Sequence, residues 1–361
     1  PFRDVYFTGM VRDEKGRKMS KSLGNSPDPL ELIEKYGADG VRVGMMLCSP
    51  AGGDLLYNDS LPEQGQKFGN KIWNAFRLVT TWEISNEIEQ PENAKTAIKW
   101  FDARLNQAIK EIDEQYDKYR LSSALMEVYK LFWDDFASWY LESVKPDYQK
   151  PIDKNTYEAT IEFLEKLLKV LHPFIPFITE EIWHYLEERN DGDSLMIDPM
   201  PDMSDYNKDD IALFEQVKEV VSNIRTVRKD KNIAMKDQVE LLVKTGDDPW
   251  PEKFESVIIK MANISTLNKI NDKVDNAASF MVRTHELFVP VGDLIDKDEE
   301  IEKLQKELEY TQGFLKSVMK KLGNERFVNN APAQVVEAEN KKKTDAETKI
   351  AALKKQIENL K

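Results

Sequence analysis

The chain has 361 residues, 41% hydrophobic and 32% charged, which is enough apolar mass for more than one packed core and excludes global disorder. No run approaches the roughly 20 consecutive apolar residues that a bilayer-spanning helix needs, and a single cysteine, Cys48, excludes a disulfide framework and a multi-cysteine zinc site. A net charge of −14 argues against a protein that coats nucleic acid at large, but it leaves room for local basic patches, because surface fields fade within about 8 Å at physiological salt.

The chain starts Pro1-Phe2-Arg3 without a methionine, so it is expected to be a piece of a longer polypeptide. Residues 1–62 are punctuated by glycine and proline, among them Gly9, Gly16, Gly24, Pro27, Pro29, Gly37, Gly40 and Gly44. That texture predicts loops between short elements, the backbone of a site rather than of a bundle. Residues 63–235 read as a helical domain. Phe68, Ile72, Phe76 and Val79 repeat at helical spacing, as do Leu105, Ile109 and Ile112, and a third helix carries Leu121, Leu125, Val128, Phe132, Phe136 and Tyr140. A fourth helix with Leu164, Leu167, Leu168 and Leu171 stops at His172-Pro173, and a fifth begins near Thr179. Short loops predict antiparallel packing of neighbours. A loop over 191–208 precedes a further helix over about 209–229.

Residues 236–297 change texture and predict a small α/β module. Val239–Val243 is strand-like, 254–261 could be a helix, and 279–283 with 286–289 reads as a hairpin. In residues 298–361, Ile301, Leu308, Leu315 and Leu322 fall seven apart, with Leu304, Thr311 and Val318 between them. Val336, Ala346, Ile350, Leu353, Ile357 and Leu360 keep the register on the return, interrupted by Glu339 and Lys343. Gly323-Asn324 and Pro332 supply a turn, so this is an antiparallel coiled-coil hairpin, with an intermolecular coil as the alternative.

The strongest chemical signal is Lys18-Met19-Ser20-Lys21-Ser22-Leu23-Gly24-Asn25. It puts two ammonium groups and two hydroxyls on one short glycine-bounded loop, where flexible stems could clamp a polyphosphate. Charge spacing alone favours an ordinary solvated basic loop. The string itself, however, is identical to the signature loop of class I aminoacyl-tRNA synthetases. Further strings resemble their aliphatic-amino-acid branch: Asp28-Pro29, Tyr36-Gly37-Ala38-Asp39 and Arg42, and later Leu171-His172-Pro173 through Thr179-Glu180-Glu181-Ile182-Trp183. Asn70-Lys71-Ile72-Trp73-Asn74-Ala75, Trp133-Asp134-Asp135-Phe136 and Asn324–Pro332 resemble the valyl members. Isoleucyl relatives commonly end in a cysteine-rich zinc module, which Cys48 alone cannot make.

The resemblance implies a mainly α chain of the class Ia type. The end of a Rossmann-type catalytic domain (1–62) leads into an anticodon-binding helical bundle (63–235), a small α/β module (236–297) and a coiled-coil tRNA-binding arm (298–361). It implies ATP-dependent activation of valine and transfer of valine to tRNA(Val) by the full-length enzyme. Lys21 and Lys18 are the catalytic candidates, holding the ATP phosphates, and Ser20 and Ser22 steady the loop. Mg²⁺ is expected with the nucleotide, and zinc is not. A cytoplasmic, monomeric enzyme with no membrane partner is expected. The family's His-Ile-Gly-His-type signature is absent from this sequence, and His172, His184 and His285 stand isolated. The fragment alone is therefore expected to lack valine-dependent ATP–pyrophosphate exchange.

Candidate RNA contacts form three groups. Asn70, Lys71, Asn74 and Arg77 make a polar stripe opposite Ile72, Phe76 and Val79, which could meet RNA or simply be a wet helix face. Leu78 stands where many relatives have an aromatic, and Trp73 and Trp82 read as core. Residues 225–231 hold four cations, Arg225, Arg228, Lys229 and Lys231, an RNA patch or a helix C-terminus whose cations favour the dipole. The segment 298–361 has 13 basic and 12 acidic residues, a net of +1, so the rest of the chain sums to −15. Within it Lys316, Lys320, Lys321, Lys341, Lys342 and Lys343 cluster towards the hairpin tip, where they could brace tRNA. Asp134-Asp135 and Glu180-Glu181 diverge by about 100° on a helix and read as structural. His172 reads as a helix-end residue, Gly52-Gly53-Asp54 as a turn and Cys48 as buried and inert. Composition alone would favour a non-catalytic helical scaffold for protein partners, which has no need of the signature loop, and an isoleucyl-type fragment is the other alternative.

Overall fold

The Asp28 carboxylate accepts the Leu30 N–H and Pro29 presets φ, so helix α1 (Pro29–Tyr36) starts there and stops at Gly37, whose φ of 75° suits glycine. Helix α2 (Ala38–Leu47) comes next, then α3 (Ser60–Thr80). The computed structural model describes residues 2–7, 9–47, 53–274, 277–291, 297–323 and 333–360. Cys48, Gly52 and the turn string Asn324–Pro332 lie outside the described residues. Gly40 and Gly44, expected as loop punctuation, lie inside α2. They let two helices touch: a methyl on Gly44 would overlap the Leu61 carbonyl, and one on Gly65 the Gly40 carbonyl.

The chain divides into two compact units. The first comprises residues 1–221, 246–267 and 282–285. Strand β1 (Val11–Arg12) runs parallel to β2 (Leu55–Leu56), and β3 (Ile84–Ser85) to β4 (Ile152–Asp153). The helical core is α4 (Glu92–Asp117), α5 (Leu121–Lys130), a π-helix (Leu131–Tyr140), α6 (Leu141–Val144), α7 (Lys154–Leu171), α8 (Pro176–Leu186) and the first half of α9 (Lys208–Asp230). Helix α10 (Glu255–Ala262) packs against α4 and α6. Trp100 stacks on Phe214 with centroids 3.6 Å apart, and Phe101 interlocks with Phe136, Tyr140 and Phe163. Burying each ring contributes about 2–3 kcal/mol. The Tyr140 hydroxyl and Thr160 Oγ1 lie 2.8 Å apart, which satisfies both in the core.

The predicted third helix is interrupted by the π-helix. Its Leu141 N–H reaches back to the Phe136 carbonyl, and the Ser138 hydroxyl donates to the Trp133 carbonyl five residues back. Apolar spacing of three to four tolerates this widening, so periodicity does not reveal it. Asp135, buried in this π segment, accepts from Arg104 Nε and Lys218 Nζ, each at 2.8 Å. The carboxylate is therefore structural, while Asp134 points to solvent.

The second unit comprises residues 222–245, 268–281 and 286–361. The segment 236–297 is thus shared between the two units. A sheet of order β6–β5–β8–β7 is built from β5 (Val239–Lys244), β6 (Ile264–Lys269), β7 (Ala277–Val282) and β8 (His285–Pro290). Strand β5 alternates buried and half-buried residues and pairs antiparallel with β8, Leu242 opposite Phe288. Strand β6 escapes sequence reasoning, because only Ile264 in it is buried and its alternation is weak. Helices α11 (Lys297–Leu322) and α12 (Ala333–Leu360) pack on each other. Thr311, Val318, Ala346 and Leu353 are buried. So is Glu339, which pairs with Lys342 at 2.7 Å and Lys321 at 3.8 Å, so its break in the apolar register is filled by an ion cluster. Among the described residues no helix is long and apolar enough to cross a membrane.

Candidate phosphate loop and nucleic-acid interface

The basic loop hangs from β1 and is shaped by two side chains, Asp13, which sequence reasoning missed, and Asn25, which it read only as part of the loop string. Asp13 accepts the N–H groups of Lys15 (3.1 Å) and Arg17 (2.8 Å), the Arg17 Nε–H (2.8 Å) and the Asn25 amide (3.0 Å). The bonds from Asn25 and then Arg17 hold its carboxyl well below the usual range, so it stays ionised. Asn25 ties both ends of the loop: its Oδ1 accepts the Ser20 N–H at 2.9 Å, and its Nδ2 donates to the Lys18 carbonyl at 3.3 Å.

Ser20 caps a one-turn 3₁₀-helix, Lys21–Leu23, by accepting the Leu23 N–H at 3.3 Å. Its Oγ lies 3.2 Å from Ser22 Oγ. Gly24 ends the turn with φ of 62° and donates its N–H to the Lys21 carbonyl. Arg12 pairs with Asp54, which also accepts the Met10 N–H at 3.0 Å. Lys18 and Lys21 are exposed, and neither has an ion pair among the described residues. Asp13 and Asp54 are thus engaged in scaffolding, Glu14 is exposed, and the two ammonium groups remain open. A cavity of about 630 Å³ adjoins it, lined in part by Asp13, Lys15, Arg17, Asn25 and Tyr57.

Two strings that carry the family resemblance meet in space. Asp39 at the start of α2 accepts the N–H groups of Phe177 (3.2 Å) and Ile178 (2.8 Å) at the start of α8. Arg42 donates to the Pro173 carbonyl at 3.1 Å. Burial raises the Asp39 carboxyl against the opposing pull of those N–H groups. His172 is buried beside Thr179, with Nδ1 and Oγ1 2.9 Å apart, and burial lowers its pKa. It is a packed helix-end residue.

The predicted RNA candidates separate. On α3, Asn70, Asn74 and Arg77 are exposed on one face. Lys71 leaves the stripe: it is half-buried, with its ammonium 5.5 Å from the Trp133 ring. Trp73 is half-buried between Phe76 and Tyr185. Arg228 is corrected. It is 1% exposed and donates to the Ala234 (3.0 Å) and Asp237 (2.8 Å) carbonyls, closing the turn after α9, so it cannot reach RNA. Arg225 and Lys229 remain exposed, four apart on α9. Lys316, Lys320, Lys321, Lys341 and Lys342 are exposed and Lys343 is half-buried; Lys321 and Lys342 face Glu339.

Known proteins share these parts. Residues 1–58 match the family of tRNA synthetases class I (I, L, M and V), residues 98–243 the anticodon-binding domain of tRNA ligase, and residues 296–361 the valyl tRNA synthetase tRNA binding arm. Over 99% of its length the chain is 57% identical to the valine–tRNA ligase of Parabacteroides distasonis. This chain belongs to the valine–tRNA ligase family. A valine–tRNA ligase of Bacillus subtilis is 36% identical over the whole chain. The chain spans about 40% of the length of these ligases, 40% and 42% of the two. Among solved structures, the LeuRS–tRNA–LeuAMS ternary complex of Agrobacterium radiobacter K84 aligns with 58% of this chain and 25% of its own, at 25% identity and a TM-score of 0.43. The valine–tRNA ligase match runs through α3 and the sheet, which lie largely outside the three matched regions.

Proposed function

We propose that this chain supplies the C-terminal part of a valine–tRNA ligase. In this reading its loop grips the phosphates of ATP during valine activation, and its helical bundle and arm hold tRNA(Val). The observation that carries the reading is the loop itself. Asp13, Asn25 and Ser20 fix its backbone, while Lys18 and Lys21 project without acidic partners among the described residues. Two open cations on a preorganised turn suit a polyphosphate whose charge grows as pyrophosphate leaves. Lys21 and Lys18 are assigned to the phosphates, and Ser20 and Ser22 to the loop and the phosphate oxygens. Mg²⁺ would arrive on the nucleotide, since it keeps most of its waters and binds through substrate phosphates. Among the described residues no cluster of three or more His, Cys, Asp or Glu offers a separate cage.

The proposed parts are 1–62 as the catalytic end, 63–235 as the anticodon-binding bundle, 236–297 as a small α/β module and 298–361 as an antiparallel coiled-coil arm. Support for RNA binding comes from the exposed Asn70, Asn74 and Arg77, from Arg225 and Lys229, and from the arm lysines. A monomer working in the cytoplasm completes the reading. Deleting 298–361 tests the RNA side. If three arm lysines touch phosphates, the log–log salt slope of tRNA affinity falls by about 2, with affinity down by on the order of tenfold. An unchanged affinity and slope would remove the arm from RNA binding.

A further inference from the structure

Helix α8 begins without a local cap. Ile175 precedes it and makes no side-chain bond to its first turn, and Pro176 opens it. The missing acceptor comes from α2, well over a hundred positions away in sequence. There the Asp39 carboxylate takes the Phe177 N–H with Oδ1 and the Ile178 N–H with Oδ2. One turn on, Arg42 donates to the Pro173 carbonyl, two residues past the last residue of α7, Leu171. The signs match the helix ends. The anion sits at the positive N-terminal end of α8, and the cation sits by the negative C-terminal end of α7. Two opposite charges three apart on α2 thus clasp both sides of the α7–α8 corner.

Farther round the same helix, Val41 and Met45 line a cavity of about 490 Å³ together with Lys18, Met19 and Tyr57. One wall of that cavity is therefore α2 and another is the signature loop. From Asn25 the chain reaches α2 through α1, whose Lys35 carbonyl accepts from Gln66 Nε2 on α3 at 3.1 Å. Contact through Gly40, Gly44 and Gly65 sets how closely α2 and α3 approach. The polar clasp sets how α2 is turned about its axis. Asp13, Asn25 and Ser20 fix the loop's shape but not its place on the bundle. Place matters, because a reacting group must be held to within about 0.5 Å, and a misplacement of about 1 Å from a distant change costs up to about 100-fold in rate.

We propose that Asp39 and Arg42 are positioning residues for the phosphate step: by clasping the α7–α8 corner they hold α2, and with it the signature loop, where Lys18 and Lys21 meet the developing charge. This deepens the ATP reading above and rests on it. The test is valine-dependent ATP–pyrophosphate exchange by a full-length valine–tRNA ligase carrying this segment, assayed well below the melting midpoint of every variant. Asp39→Ala is expected to lower kcat about tenfold. The apparent KM for ATP should stay within about twofold, because both lysines and the loop's own bonds remain. Asp39→Asn still caps a helix and should recover to within about threefold of the parent. Arg42→Ala should lose about as much as Asp39→Ala, and Arg42→Lys, which keeps a charged donor, should recover in part. Thr179→Val is the control. It removes the hydroxyl contacts to His172 and the Ile175 carbonyl inside the corner and leaves the clasp alone, so kcat should stay within about twofold. Parental kcat in Asp39→Ala, a raised KM with kcat unchanged, or an equal loss in Thr179→Val overturns the clasp and leaves the ATP reading intact. Parental exchange when Lys18 and Lys21 are both alanine overturns the ATP reading beneath it.

Discussion

Replacing Lys18 and Lys21 together by alanine, in a full-length valine–tRNA ligase carrying this segment, is expected to slow valine-dependent ATP–pyrophosphate exchange by on the order of 10²–10³-fold. The loop would keep its shape, since its backbone is fixed by Asp13, Asn25 and Ser20 rather than by either lysine. The loss should therefore fall on the rate more than on folding. In the proposed reading the ammonium groups answer charge that develops on the phosphates at bond breaking, so the rate should fall more than the apparent affinity for ATP. Asn25→Ala is the companion: it removes the bonds to Ser20, Lys18 and Asp13 at once, and should lower exchange while both lysines remain. Exchange at the parental rate in the double lysine variant would show that the loop is an ordinary solvated turn.

Asp135→Ala is expected to destabilise the helical unit by about 3 kcal/mol. Its carboxylate side chain is 7% exposed and accepts from Arg104 and Lys218, whose side chains are 13% and 17% exposed. Removing it leaves two cations half-desolvated, although Glu111 and Glu215 still reach them. The neighbour Asp134 is the control, because it is exposed and Asp134→Ala should change stability by less than about 0.5 kcal/mol. Urea unfolding followed by tryptophan fluorescence measures both, with Trp100 stacked on Phe214 beside this cluster. Equal midpoints for the two variants would mean that the network adds nothing to stability.

Much of this architecture is legible in the residues. The loop string and the helical spacings of the bundle can be read because they are local: glycine boundaries, apolar periodicity and charge sit within a few positions of one another. Contacts distant in sequence cannot. Asp13 lies twelve positions from Asn25, and Asp39 lies well over a hundred from Ile178, so no spacing pattern joins them. Arg228 resembles a surface cation in sequence, because its burial through the Ala234 and Asp237 carbonyls depends on how the chain turns after α9. Gly40 and Gly44 resemble loop residues because helix-to-helix contact selects glycine just as a turn does. Lys71 falls on the expected helix, but about 100° from Asn70, where Trp133 waits. Nothing in the spacing of Phe177 and Tyr185 tells an exposed ring from a core one, and only the structure shows them open.

The proposal on which the rest depends is that this chain selects one adaptor RNA. Filter binding of the 361-residue chain to tRNA(Val) and to a non-cognate tRNA, at one near-physiological salt concentration, tests it most directly. A preference of at least about tenfold for tRNA(Val) is predicted, roughly the discrimination that one well-placed base-edge hydrogen-bond contact supplies. Equal, weak binding to both would contradict it and leave the helices as a scaffold for other partners.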